Sequence, residues 1–172
     1  MSITRFDALT PPSDPTDGVE GLARLLEGLG FRLRWACEGL TEEDCAAEPI
    51  AGAWSIGEQL AHLTALIRFG RGALEAGEAS WGGNVDENRG PMAHGVILED
   101  LGATIDRLRA DPGSLSSARL LAAGHEFPSG HLVNGPWADA LHHVGQITLL
   151  RKALGNPAPS AQPFLGQPPS DV

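Results

Sequence analysis

Asp139 and His143 lie four residues apart in the stretch P-W-A-D-A-L-H-H-V-G-Q-I-T-L-L-R-K-A-L-G, residues 136–155. In a helix that spacing stacks two side chains on one face. Carboxylate and imidazole are both ligands for divalent transition metals. A third candidate, His62, sits inside the other strongly helical stretch of the chain. Two imidazoles and one carboxylate converging from two helices would hold such a metal with positions left open for water. Two plainer uses of the same residues stand beside this one. An inward histidine also serves as a hydrogen-bonded core residue. A carboxylate in a first helical turn stabilises the N-terminal end of the dipole by about 0.3–1 kcal/mol.

At about 100° per residue, His143 falls near the centre of the apolar arc formed by Ala140, Ile147, Leu150 and Leu154, with Asp139 about 40° round. His142 is about 100° away and reads as a flank residue. Gln146 could orient a ligand or make a helix-packing amide bond. Gly145 would let another helix approach closely. Glu58 is accounted for by a capping box with Ser55. His94, His125 and His131 fall in expected loops, and Trp54 and Trp137 read as packing anchors at the entries of the two site helices.

Four long helices must position these residues. The first spans Gly18 to about Gly39, with Leu22, Leu26, Leu29 and Leu33 at helical spacing. Phe31 and Trp35 fall off that stripe; they either cover a neighbouring loop or form an exposed ridge for a subunit contact. Thr41 opens a short acidic helix or turn. The second long helix begins at Ser55 and ends at Ala76, with Gly77 suited to the left-handed position after it. A third runs from about Gly95 to Ala110, and the fourth starts at Gly135-Pro136 and stops at Gly155. Residues 78–94 read as a long loop, and 112–135 as irregular with a helical turn around Ser116–Ala122. No stretch reads as a strand. The expected fold is all-α, a four-helix bundle with long connecting loops, forming one domain over 1–172 with an irregular arm at 1–17 and a Pro-rich tail at 156–172.

Hydrophobic residues make up 42% and charged ones 20%, which fits a globular protein rather than a disordered one. Twelve Lys and Arg against 22 Asp and Glu leave a net charge of −10, which repels phosphate backbones and anionic lipid. Nucleic acid and membrane are therefore excluded as partners. The N-terminal residues lack the apolar core of a secretory signal, so the expected location is cytoplasmic. Cys37 and Cys45 carry no zinc spacing, are not expected to form a disulfide, and read as bland small residues.

The segments W-S-I-G-E-Q-L-A-H-L (54–63) and D-A-L-H-H-V-G-Q-I-T-L-L-R (139–151) resemble the two signature helices of the DinB/YfiT-like superfamily of metal-dependent four-helix bundles. The resemblance covers all four long helices, and H-V-G-Q-I (143–147) is its most specific part. It implies one ligand from the second helix and two from the fourth, spaced H-x-x-x-H. His62 and His143 match the first and last positions; Asp139 replaces the usual middle histidine. It further implies a divalent transition metal, zinc or nickel foremost, and a small-molecule substrate. Members with known activity include thiol-dependent isomerases and S-transferases using a low-molecular-weight thiol, so the resemblance implies a transferase or a hydrolase. The competing expectation is a non-catalytic, homodimeric, stress-associated bundle with a vestigial site.

Overall fold

A computed structural model describes residues 3–9, 17–83 and 89–170. Parts of the expected arm (1–2 and 10–16), of the 78–94 loop (84–88) and the last two tail residues lie outside the described residues. Six helices follow in order: α1 (Gly18–Ala36), α2 (Glu42–Ala46), α3 (Ile56–Ala76), α4 (Ala93–Ala110), α5 (Gly113–Ser117) and α6 (Ala138–Ala153).

Local chemistry fixes the ends. Asp17 accepts from Glu20 N at 2.8 Å to open α1. Thr41 and Asp44 form a capping box for α2, and Ser55 and Glu58 form the one expected for α3. Gly77 closes α3 in the left-handed region at φ 80°. Before α6 the chain makes one wide helical turn, Val133–Trp137, with Gly135 outside helical geometry and Pro136 setting the entry.

α1 and α3 each pack against both α4 and α6, so the four long helices form a ring in the order α1, α4, α3, α6. Successive helices α1 and α3 are thus diagonal rather than adjacent. Leu26, Leu29, Leu63, Ile67, Leu101 and Ile147 fill the centre, each contributing roughly 1.5–3 kcal/mol on burial. Asp100 of α4, almost fully buried, receives Arg68 Nε at 3.0 Å and Arg71 at 2.5 Å from α3.

Two sequence expectations are corrected and one open alternative is decided. The fold is mostly helical but not all-α: β1 (Glu78–Ser80), β2 (Arg119–Ala122) and β3 (His125–Pro128) form a small sheet. β1 pairs parallel with β2, and β2 antiparallel with β3. The helical turn expected around 116–122 lies earlier, at Gly113–Ser117, and residues 119–122 are strand. Phe31 and Trp35 do not make an exposed ridge. Phe31 is fully buried and Trp35 is 5% exposed, because both chain ends return to this flank of α1. Trp35 Nε1 donates to Asp7 O at 3.1 Å, and the Arg34 guanidinium lies 4.7 Å from the Trp35 ring. Phe6 lies against Gly30, where an added Cβ would come within 2.4 Å of the ring.

Cys37 and Cys45 are free thiols, and both lie in the core. Burial pushes Cys37 up to about 12 and, with Glu42 and Asp44 nearby, Cys45 up to about 11. Both should therefore resist a thiol reagent such as Ellman's in the native protein and react fully in denaturant. Fast labelling of either without unfolding would contradict this burial.

Candidate metal centre

His62 stands one turn beyond the capping residue Glu58, within α3, facing α6. Asp139 and His143 come from the first two turns of α6, where the Pro136 entry and buried Trp137 fix the helix start. Trp137 packs over Gly70 of α3; an added Cβ there would meet the indole nitrogen at 2.8 Å. That close approach brings the front of α6 onto α3. The expected trio is thereby assembled, with one ligand-type atom from each residue lying within 4.8 Å of the others.

Asp139 presents one oxygen to each imidazole. Oδ2 lies 3.1 Å from His62 Nε2, and Oδ1 lies 3.5 Å from His143 Nε2. The two imidazole centroids are 4.5 Å apart and the rings nearly perpendicular. In a tetrahedral ion with bonds of about 2.0–2.2 Å, neighbouring ligand atoms sit about 3.3–3.6 Å apart. Both carboxylate contacts already approach that spacing. The histidine side chains are largely buried, whereas Asp139 is 44% exposed and open to solvent on one side.

Gln59 decides what His143 can do. Its side-chain oxygen accepts a hydrogen bond from His143 Nδ1, and Gln59 is itself buried. With the proton held on Nδ1, the Nε2 lone pair faces the Asp139 carboxylate, acceptor towards acceptor. The donor set there, two imidazole nitrogens and a carboxylate, fits a divalent transition metal. Burial, the largest effect, holds the His143 pKa below its ordinary value. Asp139 pulls it upward, while His62 and His142 press it further down. The neutral ligand form is thus favoured.

The sequence reading did not single out Gln59. The signal was present in its spacing, three residues before His62 on the same face of α3. Gln59 shares the orienting role considered for Gln146, whose amide nitrogen lies 2.6 Å from His142 Nε2 and whose side chain also hydrogen-bonds His143, raising its pKa. Gln59→Leu should keep all three candidate ligands and weaken zinc binding by about 10–100-fold. Competition with a chromophoric chelator measures this, and an unchanged affinity would remove Gln59 from the site.

Two tryptophans wall the cluster. Trp54 stacks on His143 at 5.6 Å and 11°, and meets the His62 ring edge-on at 5.2 Å. Trp81 meets His62 from the other side at 6.0 Å, held there because its backbone N–H donates to Leu121 O at 2.7 Å at the end of the small sheet. Two cavities open on the cluster. One of about 400 Å³ includes Trp54, Gln59 and His143, with Ile50 and Leu149 at its sides. The other, about 660 Å³, includes His62 and Asp139 with Phe69, Trp81 and His142.

Other expected positions divide. Glu58 is engaged in its capping box. Trp54 lies at the site but is 43% exposed, whereas Trp137 is a core anchor. His94 lies against Pro91 O, and His125 and His131 flank Phe127. Gly145 meets no neighbouring helix: its face is open, contrary to the close approach expected. No helix among the described residues is long and apolar enough to cross a membrane.

Comparison with protein families finds that residues 25–147 match the DinB superfamily. That span contains α3, α4 and the Asp139–His143 pair. The comparisons with curated proteins and with solved structures gave no match. With most of its length inside the match, the chain belongs to the DinB superfamily.

Proposed function

We propose that this protein is a metal-dependent enzyme of the DinB/YfiT-like type, its long helices acting as the family's four-helix bundle, and that it transfers a small thiol to a small electrophilic molecule. His62 Nε2, His143 Nε2 and the Asp139 carboxylate hold the metal, zinc or nickel. The observation that carries the reading is the cluster's place between two cavities, His143 opening on one and His62 with Asp139 on the other. A hydrolase needs room for one organic substrate and water, whereas group transfer between two organic molecules uses two approaches.

When bound, the metal supplies a lowered pKa for a coordinated thiol. The protein's own residues supply position and exclusion. Gln59 fixes the His143 tautomer, and Trp54 and Trp81 cover the histidines on two sides. Phe69 and Leu66 make the wall of the larger cavity apolar, which suits a small, mostly apolar electrophile.

The test is turnover of a low-molecular-weight thiol with an aromatic chloride by zinc- or nickel-loaded protein. The reading expects activity that disappears in His62→Ala and His143→Ala. A loaded protein that hydrolyses an activated ester but leaves the thiol–chloride pair untouched would replace transfer with hydrolysis.

A further inference from the structure

A third cavity, about 670 Å³, lies away from the histidine cluster, between α1, α6 and the C-terminal segment 158–163. Its floor is apolar, with Trp35, Leu141, Val144 and Pro159 contributing. Gly145 leaves the trough open, with nothing within 4 Å of where its Cβ would stand. Thr148 and Ser160 supply hydroxyls along it, and Arg32 and Lys152, both exposed, stand at its border.

Those two cations are unusual in this chain. Carboxylates outnumber basic side chains 22 to 12. Each other arginine but Arg151 has a carboxylate within ion-pair distance. Arg151 is enclosed by carbonyls. Among the described residues, Arg32 makes only a hydrogen bond to Gly28 O at 3.0 Å, and Lys152 has no carboxylate partner. Lys152 also suits the last turn of α6 through the helix dipole. That does not explain why both unpaired cations border one apolar trough. In a protein of net charge −10 the general field repels anions, so a local cationic pair over an apolar floor selects an anion with an apolar body.

We propose that this cavity is a binding site for a small amphipathic monocarboxylate. The apolar body lies along Trp35, Val144 and Leu141, and the carboxylate meets Arg32 and Lys152. Its volume is that of an ordinary small-molecule site, and a charge-assisted contact to the guanidinium supplies direction. The site is separate from the histidine cluster and does not depend on the proposed reaction.

Calorimetric titration of the full chain with octanoate, and separately with 1-octanol, tests the assignment. Saturable 1:1 octanoate binding is expected, with octanol at least about tenfold weaker. The exposed double substitution Arg32→Gln/Lys152→Gln should lose that preference while keeping a cooperative thermal unfolding close to that of the native chain. Gly145→Leu, which fills the trough from an exposed helical position, should weaken both ligands. His143→Ala should bind octanoate as the native chain does. Equal affinity for the two ligands, no saturation in the low millimolar range, or a preference intact in the double variant would overturn the proposal. Octanoate binding lost in His143→Ala but kept in Gly145→Leu would also overturn it, by moving the ligand to the histidine cluster.

Discussion

Replacing Arg151 with leucine should destabilise the protein by roughly 3–5 kcal/mol, more than loss of an ordinary surface arginine. The side chain is 1% exposed and ties three segments together. It donates to Ala36 O at 2.8 Å and Glu38 O at 2.7 Å beyond the end of α1, and to Asn156 O at 2.9 Å past the end of α6. The Asn156 side-chain oxygen accepts a fourth bond at 3.2 Å, and its amide donates to Asp44 of the α2 capping box at 2.9 Å. Leucine satisfies the packing but orphans several carbonyls, each costing about 1–3 kcal/mol if water cannot reach it. Lysine keeps the charge yet cannot reproduce the fork, so Arg151→Lys should recover only part of the loss. Urea unfolding monitored by circular dichroism reads both. A change below about 1 kcal/mol for Arg151→Leu would mean that these carbonyls find other partners.

The second large effect concerns His143. His143→Ala should reduce zinc or nickel affinity by more than the about 10–100-fold that loss of a supporting contact costs, because it deletes a proposed ligand. The same histidine gives the unliganded protein a pH dependence of known sign. Burial lowers the His143 pKa in the folded state, so protonation favours the unfolded chain. The contribution to stability is complete above the ordinary histidine value of about 6.5 and is lost as pH falls through and below it. Metal binding should weaken over the same acid range, since protons compete for the imidazoles. Urea unfolding of the metal-free protein between pH 8 and 5 checks the first, and chelator competition over the same range checks the second. Affinity that rises as pH falls, or that is equal in His143→Ala, would exclude His143 as a ligand.

Much of the frame was legible in the sequence because it is locally encoded. Ser55 with Glu58 and Gly77 bound α3 within one residue, and the 3.6-residue apolar pattern located α1, α4 and α6. The Asp139–His143 spacing, set against His62 on the other apolar helix, left a core or helix-dipole role open; together with the family resemblance it singled out the three residues. Most of what escaped was decided at long range. The strands are three or four residues each, too short for an alternating pattern; β2 and β3 form a local hairpin across Ala123-Gly124, while β1 joins them only by pairing with a segment some 40 residues on in sequence. The burial of Phe31 and Trp35 depends on both chain ends folding back on α1, which the helical wheel of α1 cannot register. Gln59 and Arg151 look like ordinary polar residues in their own helices. Their importance lies in His143, 84 positions away, and in the carbonyls of residues 36 and 38.

Asp139 separates this chain from the H-x-x-x-H spacing that the family resemblance implies, so it is the residue on which the metal reading turns. The direct test is elemental analysis of the purified native protein beside Asp139→His, with zinc and nickel reloaded and then stripped by a chelator. If Asp139 occupies a ligand position, the native chain carries one metal per chain, and the Asp139→His variant holds it more tightly and releases it more slowly. A native chain that takes up neither zinc nor nickel, together with a variant no different from it, would contradict the metal centre.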